Sequence, residues 1–283
     1  MPSQREIRRR IASVRNIKQI TRAMQFVAAS KLKRAQDATL ASRPYADKID
    51  EVLSDLAAVL GGDDHPLLAK REDGARAIVL ITTDRGLAGS LNTNTIRFAA
   101  EQVTSHEGDL TLITVGRKGH AAMRRARVPI AATFEGFGDR PAFSSVIALS
   151  RLLTDDYLAG TYSTIDLLYP RFHSTLVQRP FLDRLLPVDP TDDTEGIPGN
   201  QFIFEPNPDE VLRQLLPRYV ATRVFQAVLE LAASEQSARM VAMKNATENA
   251  QELIDDLTLT YNKVRQTNIT REMIEIATGA QSI

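Results

Sequence analysis

Apolar residues recur at steps of three and four along the first segment of the chain. The series is Ile7, Ile11, Val14, Ile17, Ile20, Met24, Val27, Leu32 and Ala35. A mean step of about 3.5 residues is typical of a coiled-coil seam. Because neither Gly nor Pro occurs between Ser3 and Arg43, the pattern predicts one long helix from the third residue onward. We expect Pro44 to bend this helix and Gly61 to end it.

The last segment repeats the same kind of pattern. Asn207-Pro208-Asp209 has the composition of a helix start, with a cap, a proline and an acidic residue in the first turn. The apolar stripe that follows is Val211, Leu215, Val220, Val224, Val228, Leu231, Ala238, Val241, Leu253, Leu257, Tyr261 and Val264. Pro217 is expected to kink the early helix, and no further Gly or Pro occurs before Gly279. Since neither long helix can bury its stripe on itself, the two should pair antiparallel as a coiled coil.

Small side chains repeat every four residues in the middle of the second helix, at Ala238, Ala242, Ala246 and Ala250. Such a ladder would let the backbone of a partner helix approach closely. Asn245 and Asn249 lie beside it. Two alternatives stay open for these amides: either they are solvated, or they set the register of the helix pair.

Residues 75–200 alternate short apolar runs with helical patterns. The continuous β-branched run Ala77–Thr83 is typical of a strand buried on both faces. The pattern predicts further strands and helices, the strands at 110–115, 130–134, 165–169 and 176–186 and the helices at 93–106, 118–125 and 144–158. This alternation predicts a Rossmann-like α/β domain with a mostly parallel sheet.

The fold class is therefore predicted as α/β with two parts. A long antiparallel coiled coil is formed by residues 1–60 and 208–283. The α/β domain, residues 75–200, is inserted between its two helices. Residues 189–207, rich in Pro, Asp, Thr and Gly, are predicted to form the exposed loop that returns to the second helix.

One loop resembles an enzyme site. Residues 84–92 read Asp-Arg-Gly-Leu-Ala-Gly-Ser-Leu-Asn and lie between a buried strand and a helix, where nucleotide phosphates bind in α/β folds. However, the glycine spacing matches neither the dinucleotide fingerprint nor the P-loop, and no lysine follows to reach a phosphate. A tight strand-to-helix turn or a protein-contact loop is the favoured interpretation, and a phosphate site is the alternative.

Composition and charge exclude several function classes. The chain has 43% hydrophobic and 25% charged residues, as globular proteins do, and no cysteine, which excludes disulfides and thiolate chemistry. No apolar run approaches the about 18 residues of a membrane span, so we expect no direct insertion into lipid. The four histidines are scattered without metal-ligand spacing. We therefore expect no metal, no cofactor and no catalytic site.

The first 48 residues carry twelve basic and only three acidic side chains. Clustered Lys and Arg are the electrostatic footprint of nucleic-acid binding. Against that function, the segment is almost free of aromatic residues and shares its helix with a coiled-coil seam. A solvated charged face is the default interpretation, and contact with acidic protein loops is the functional alternative.

The end of the second helix carries a better indication of function. Arg265, Gln266 and Thr270 can form hydrogen bonds with a partner, and the helix then becomes apolar from Met273 to Ala277. A helix end that is apolar on several sides must be enclosed. The chain's own α/β domain or the sleeve of a partner protein could enclose it.

Three segments of the chain resemble the gamma subunits of F-type ATP synthases. The opening carries the resemblance through Arg5-Glu6-Ile7, Ile11-Ala12-Ser13-Val14, Gln19-Ile20-Thr21, Ala23-Met24 and Val27-Ala28-Ala29-Ser30-Lys31-Leu32. The ending carries it through Ala233-Ser234-Glu235-Gln236, Arg239-Met240-Val241-Ala242-Met243, Asn245-Ala246-Thr247, Tyr261-Asn262-Lys263, Arg265-Gln266, Ile269-Thr270, Glu272 and Gly279-Ala280. The loop Asp84-Arg85-Gly86-Leu87, with Gly89 and Leu91-Asn92, is similar to the central motif of the family.

The resemblance implies a rotor without a catalytic site of its own. The terminal helices would form a central shaft inside a ring of alternating alpha and beta subunits. Its rotation would couple proton flow to ATP synthesis or hydrolysis at the beta subunits. The α/β domain and the foot of the shaft would dock on the epsilon subunit and the membrane c-ring.

The resemblance also assigns roles to single residues. Arg265, Gln266 and Thr270 match contacts with the catch loops of the beta subunits, and Arg85 is a further candidate. Met24 and Arg239 match positions that influence coupling. The apolar tip, Met273, Ile274, Ile276 and Ala277, would lie in the bearing at the top of the ring.

Two departures from the family pattern indicate which kind of ATP synthase the chain comes from. Ala88 stands where many relatives have cysteine, and the α/β domain has no cysteine-bearing insertion. The thiol-regulated chloroplast version is therefore disfavoured and a bacterial one favoured. The expected location is the cytoplasmic face of the bacterial plasma membrane, as a peripheral protein.

Overall fold

Two long helices flank a five-stranded α/β layer. The computed structural model describes residues 3–60, 65–71, 73–189 and 204–280. The elements in chain order are α1 (Gln4–Leu60), β1 (Ala75–Ile81), α2 (Leu91–Ser105), β2 (Leu110–Val115), α3 (Arg117–Arg125), β3 (Ile130–Phe134), α4 (Phe143–Leu158), β4 (Tyr162–Phe172), β5 (Gln178–Leu186) and α5 (Pro208–Ala280). The predicted fold class is confirmed.

Both terminal helices contain one proline in their interior and continue through it. Pro44 lies inside α1 and Pro217 inside α5, each at the cost of one backbone hydrogen bond in its helix. Ser3 caps α1 by accepting a bond from the Glu6 amide (3.3 Å), and the Asn207 side chain caps α5 through the amide of Glu210 (2.9 Å). Gly61 and most of the predicted return loop, residues 190–203, lie outside the described residues.

The sheet has the strand order β3-β2-β1-β4-β5. The pairs β1·β2, β1·β4 and β2·β3 are parallel and β4·β5 is antiparallel, as the predicted mostly parallel sheet requires. In β1 the residues from Ala77 to Ile81 are all fully buried. Val79 and Ile81 face one core and Ile78 and Leu80 the other, which explains the uninterrupted apolar run in this strand.

The larger core also includes parts of both long helices. Leu53 and Leu56 of α1 and Leu216 and Val224 of α5 pack in the same cluster as one face of β1. The helices therefore serve as the outer layer of the sheet, and their apolar stripes are buried against strands as well as against each other.

The chain divides into two compact units. Residues 29–238 form the larger one, called here the α/β unit, and residues 1–28 with 239–283 form the smaller one, called the helix-pair unit. The predicted boundaries of the shaft, 1–60 and 208–283, remain a prediction.

In the helix-pair unit α1 and α5 run antiparallel. Arg8 donates a hydrogen bond to the Tyr261 hydroxyl (2.5 Å) and its guanidinium lies 5.5 Å from the ring centroid. Lys18 bonds to Gln251, and the hydroxyls of Thr21 and Thr247 are 2.8 Å apart. Residue numbers thus rise along α1 as they fall along α5, which is the predicted antiparallel arrangement.

The amides of Asn245 and Asn249 are exposed in this unit. Their exposure favours the solvated alternative over a role in register. Polar pairing between the helices includes instead the two threonines, the Lys18–Gln251 bond and the Arg8–Tyr261 bond.

The junction between β1 and α3 leaves no room for a side chain. A Cβ at Gly116, where φ is +89°, would lie 2.0 Å from the carbonyl oxygen of Thr82. The Thr82 hydroxyl also accepts a bond from the Gly119 amide (2.8 Å). The start of α3 is therefore packed directly on the end of β1, and only glycine fits at residue 116.

We expect Gly116→Ala to destabilise the α/β unit by about 3 kcal/mol or more, because a backbone clash adds to the strained positive φ. Gly136→Ala is the matched control, since Gly136 also has a positive φ of +84° but no atom lies within 4 Å of its Cβ position. Strain alone should cost about 1 kcal/mol there. Urea unfolding followed by circular dichroism measures both, and equal losses would contradict this account.

Candidate functional site

The C-terminal part of α5 extends past the start of α1. Ile7, near the start of α1, is 1% exposed, and the Arg8–Tyr261 bond lies one residue further along. Beyond Tyr261, α5 continues to Ala280. Every side chain from Ile269 to Ala277 is exposed, so over these residues no described segment of the helix-pair unit covers any face of the helix.

The three predicted beta-contact residues of α5 lie on this open segment. Arg265, Gln266 and Thr270 are all exposed. The Thr270 hydroxyl donates to the Gln266 backbone carbonyl (3.0 Å). Gln266 and Thr270 line a shallow depression together with Ile274, while Arg265 lies about 100° further round the helix.

The predicted apolar tip is likewise uncovered. Met273 is 65% exposed, Ile274 58% and Ile276 72%, and Ala277 is exposed as well. Large apolar side chains on several faces of one helix end are an unfavourable surface in water. Within the helix-pair unit, no described segment encloses these side chains.

The central loop, residues 84–92, places Arg85 at the surface. Polar side chains of this loop form hydrogen bonds within the chain. The Asp84 carboxylate accepts bonds from the backbone amides of Arg117 (3.1 Å) and Gly136 (3.2 Å). Thr83 and Asn92 bond to each other across the loop (2.8 Å). Arg85 itself is exposed.

This arrangement argues against a phosphate site. The amide of Arg117 at the start of α3 would be a natural anion donor, but the Asp84 carboxylate already occupies it. A second anion there would meet like charge. The favoured sequence interpretation, a tight strand-to-helix turn, matches this geometry. The turn presents Leu87, 63% exposed and with a positive φ of 62°, next to Arg85.

Met24 and Arg239, the predicted coupling residues, are half-buried side chains of the helix-pair unit. They lie far along the helices from the exposed tip. The predicted site residues thus fall in three places: the C-terminal end of α5, the central loop and half-buried positions of the helix-pair unit.

The titratable groups with a shifted pKa belong to the α/β unit. Burial, reinforced by Asp183, raises the pKa of the Tyr169 hydroxyl. Burial and Arg213 lower the pKa of His65, whose Nδ1 accepts a bond from the Leu67 amide. Among the described residues no group of three His, Asp or Glu side chains could hold a metal ion.

Sequence reasoning missed the most enclosed part of α5. All seven side chains from Leu231 to Ser237 are buried, including Ser234, Gln236 and Ser237. A run of polar residues predicts exposure from composition alone. The only signal was the motif Ala233-Ser234-Glu235-Gln236, which the resemblance singled out without giving a physical reason.

Comparisons with known proteins agree over the whole length. The family model described as ATP synthase matches residues 3–283. The ATP synthase gamma chain of Pelotomaculum thermopropionicum is 42% identical, with 100% of each chain covered. That of Roseiflexus sp. strain RS-1 is 45% identical over 100% of this chain and 99% of its own. That of Dehalococcoides mccartyi strain BAV1 is 46% identical over 100% of both.

Solved structures with a similar fold come from mitochondrial ATP synthases. A chain of the Euglena gracilis enzyme has a TM-score of 0.68 at 20% identity and covers 99% of this chain and 94% of its own. A chain of the Tetrahymena thermophila central stalk and c-ring has a TM-score of 0.60 at 23% identity, covering 80% and 99%. At these identities the likeness concerns the fold. The bacterial relatives carry the assignment, and on their evidence the chain belongs to the ATP synthase gamma-chain family.

Proposed function

We propose that this chain is the central rotor stalk of an F-type ATP synthase, without a catalytic site of its own. It couples proton flow through a membrane rotor to ATP synthesis or hydrolysis by turning inside a ring of alpha and beta subunits. The observation that carries the proposal is the open end of α5 in a chain that matches gamma chains over its whole length.

The chemistry of the open end suits a rotating contact. An apolar surface such as Met273, Ile274 and Ile276 attracts an apolar sleeve without directional bonds, so it resists rotation little. Hydrogen bonds do the opposite, because they form at some angular positions and break at others. Arg265, Gln266 and Thr270, just below the tip, supply such bonds.

The beta subunits are the proposed partners of these three residues through their catch loops. Arg85 in the central loop is a second proposed beta contact, because an exposed guanidinium can bind carboxylates in a bidentate manner. Ala277 completes the proposed bearing surface. Met24 and Arg239 are proposed to influence coupling from within the helix pair, where a changed side chain would alter the shape of the shaft.

The remaining proposed partners are the epsilon subunit and the c-ring, at the α/β unit. The chain is a peripheral part of a membrane-bound complex, and we propose the cytoplasmic face of a bacterial plasma membrane. None of the helices in the described parts of the chain combines the length and apolarity that a membrane crossing needs.

The direct test is reconstitution with alpha and beta subunits. The purified chain should co-elute with them as one complex, and a probe attached to the α/β unit should rotate when ATP is added. A chain that remains separate from the ring, or that binds without rotating, would overturn the proposal.

We expect the double variant Arg265→Ala with Gln266→Ala to lower the rate of coupled ATP synthesis by about tenfold. This factor corresponds to the loss of roughly 1.4 kcal/mol of hydrogen-bond energy with the beta subunits. The isolated chain should unfold at an unchanged urea midpoint, because both side chains are exposed. Arg97→Ala with Glu101→Ala, an exposed pair on α2, is the control. Unchanged synthesis rates in vesicles would remove the two residues from this role.

We expect Met273→Glu with Ile276→Glu to leave the unfolding free energy of the isolated chain within about 0.5 kcal/mol, since both side chains are exposed. The assembled complex should dissociate at a lower temperature, because two carboxylates would be buried in an apolar sleeve. Leu176→Glu, at a side chain 78% exposed on the β4–β5 turn, controls for added charge. An equal effect of the control on dissociation would contradict the bearing role.

A further inference from the structure

One stretch of α5 is surrounded on every side. The seven consecutive residues Leu231–Ser237 are all buried. At about 100° per residue, seven positions cover more than a full turn of the helix. An ordinary surface helix keeps one face in water, and this stretch has none. The α/β unit therefore encloses α5 at this level.

The enclosed stretch is polar where a helix core is usually apolar. The Ser234 hydroxyl donates to the carbonyl of Pro170 (2.9 Å) and the Ser237 hydroxyl to that of Thr175 (2.8 Å). Both acceptors belong to β4 or the turn that follows it. On this side α5 is held to the β4–β5 hairpin by directional bonds.

On another side a single carboxylate holds both long helices. Asp139, in the loop between β3 and α4, accepts through Oδ2 from Lys31 of α1 (2.5 Å) and through Oδ1 from the Gln236 side chain of α5 (3.1 Å). The Lys31 and Asp139 side chains are 28% and 29% exposed, and Gln236 is 2% exposed. These three residues are called here the Asp139 clamp.

We propose that the Asp139 clamp locks the α/β layer to both helices against rotation, so that the α/β unit turns as one body. Lys31, Asp139 and Gln236 are positioning residues in this role, and the inference rests on the proposed rotor function. The reason is mechanical. The hydrophobic effect is non-directional and does not by itself fix the angle of a helix, whereas a charge-assisted bond is lost when its geometry changes.

The clamp differs from an ordinary surface ion pair in its connections. A surface pair joins two flexible side chains and contributes little, as with Lys33 and Asp37, which are 79% and 59% exposed at 3.4 Å. Asp139 instead joins three elements that are distant in sequence through both of its oxygens. Turning α5 against the layer would break the Gln236 bond and leave a buried amide without its acceptor.

The buried amide permits a charge-swap test. Lys31→Asp with Asp139→Lys exchanges the charges of the clamp. Gln236 can turn its amide to offer Oε1 to the new ammonium group, and this oxygen has no hydrogen-bond partner within the described chain. The double variant can therefore restore both connections of the clamp, whereas either single variant places two like charges together.

The readout is the torsional stiffness of the complex reconstituted with alpha and beta subunits. A bead on the α/β unit reports thermal angular fluctuations while the ring is fixed and the shaft is held in a nucleotide-inhibited state. Each single variant should lower the stiffness by about twofold or more, through loss of the charge-assisted bonds. The double variant should return it to within error of the unmodified chain.

The matched control is Lys33→Asp with Asp37→Lys, together with its two single variants, on the same helix. These should leave the stiffness unchanged. Asp139→Asn is a milder second variant. It keeps an oxygen that can accept from Gln236 and removes only the negative charge that pairs with Lys31. It should lower the stiffness less than either reversal does.

Two results would overturn the inference: single reversals with unaltered stiffness, or a double variant as soft as the singles. A single reversal that fails to assemble, next to a double variant that assembles with full stiffness, supports it. Failure of the unmodified chain to rotate would instead refute the rotor function on which the inference rests, so the two failures are distinguishable.

Discussion

The pairing of two long apolar stripes is the constraint on which the rest of the structure depends. The helix α1 has 57 residues and α5 has 73, and a helix with an apolar stripe needs a partner along that stripe. Because α5 is longer, part of it must find another partner or remain bare. Within the helix-pair unit Ile7, near the start of α1, is buried and the next residue, Arg8, bonds to Tyr261, so the bare part falls at the C-terminal end.

The α/β layer meets the same constraint in another way. It supplies strands and loops that cover α1 and α5 where these helices belong to the α/β unit. At residues 231–237 every side chain of α5 is buried. In this segment α5 also forms hydrogen bonds to the β4–β5 hairpin and to Asp139. Helix α5 is thus held by hydrogen bonds at residues 231–237 and exposes apolar side chains from Met273 to Ala277. A rotor needs both, a firm hold where torque enters and a smooth contact where it turns.

The central loop lies where an enzyme of this fold class would bind a phosphate, but its geometry argues against that role. Its place after β1 is where α/β folds bind phosphates, yet its own Asp84 occupies backbone donors at the start of α3 and in the loop after β3. The turn is closed by Thr83 and Asn92. The large side chains that the loop exposes to a partner are Arg85 and Leu87. A protein surface suits such a pair better than a nucleotide does.

The sequence by itself determined the helices, the strands of the sheet and the apolar character of the tip, because each of these is visible in a local pattern of residues. The run Ala77–Ile81 and the seam from Ile7 to Ala35 needed no tertiary information. Only the tertiary structure decided that Ser234 to Ser237 are buried and that Asp139 joins Lys31 to Gln236. Those contacts link residues about 100 positions apart in the chain, and such pairing depends on how the layers pack. Periodicity records which face of an element is covered, and it carries no information on which distant side chain covers it.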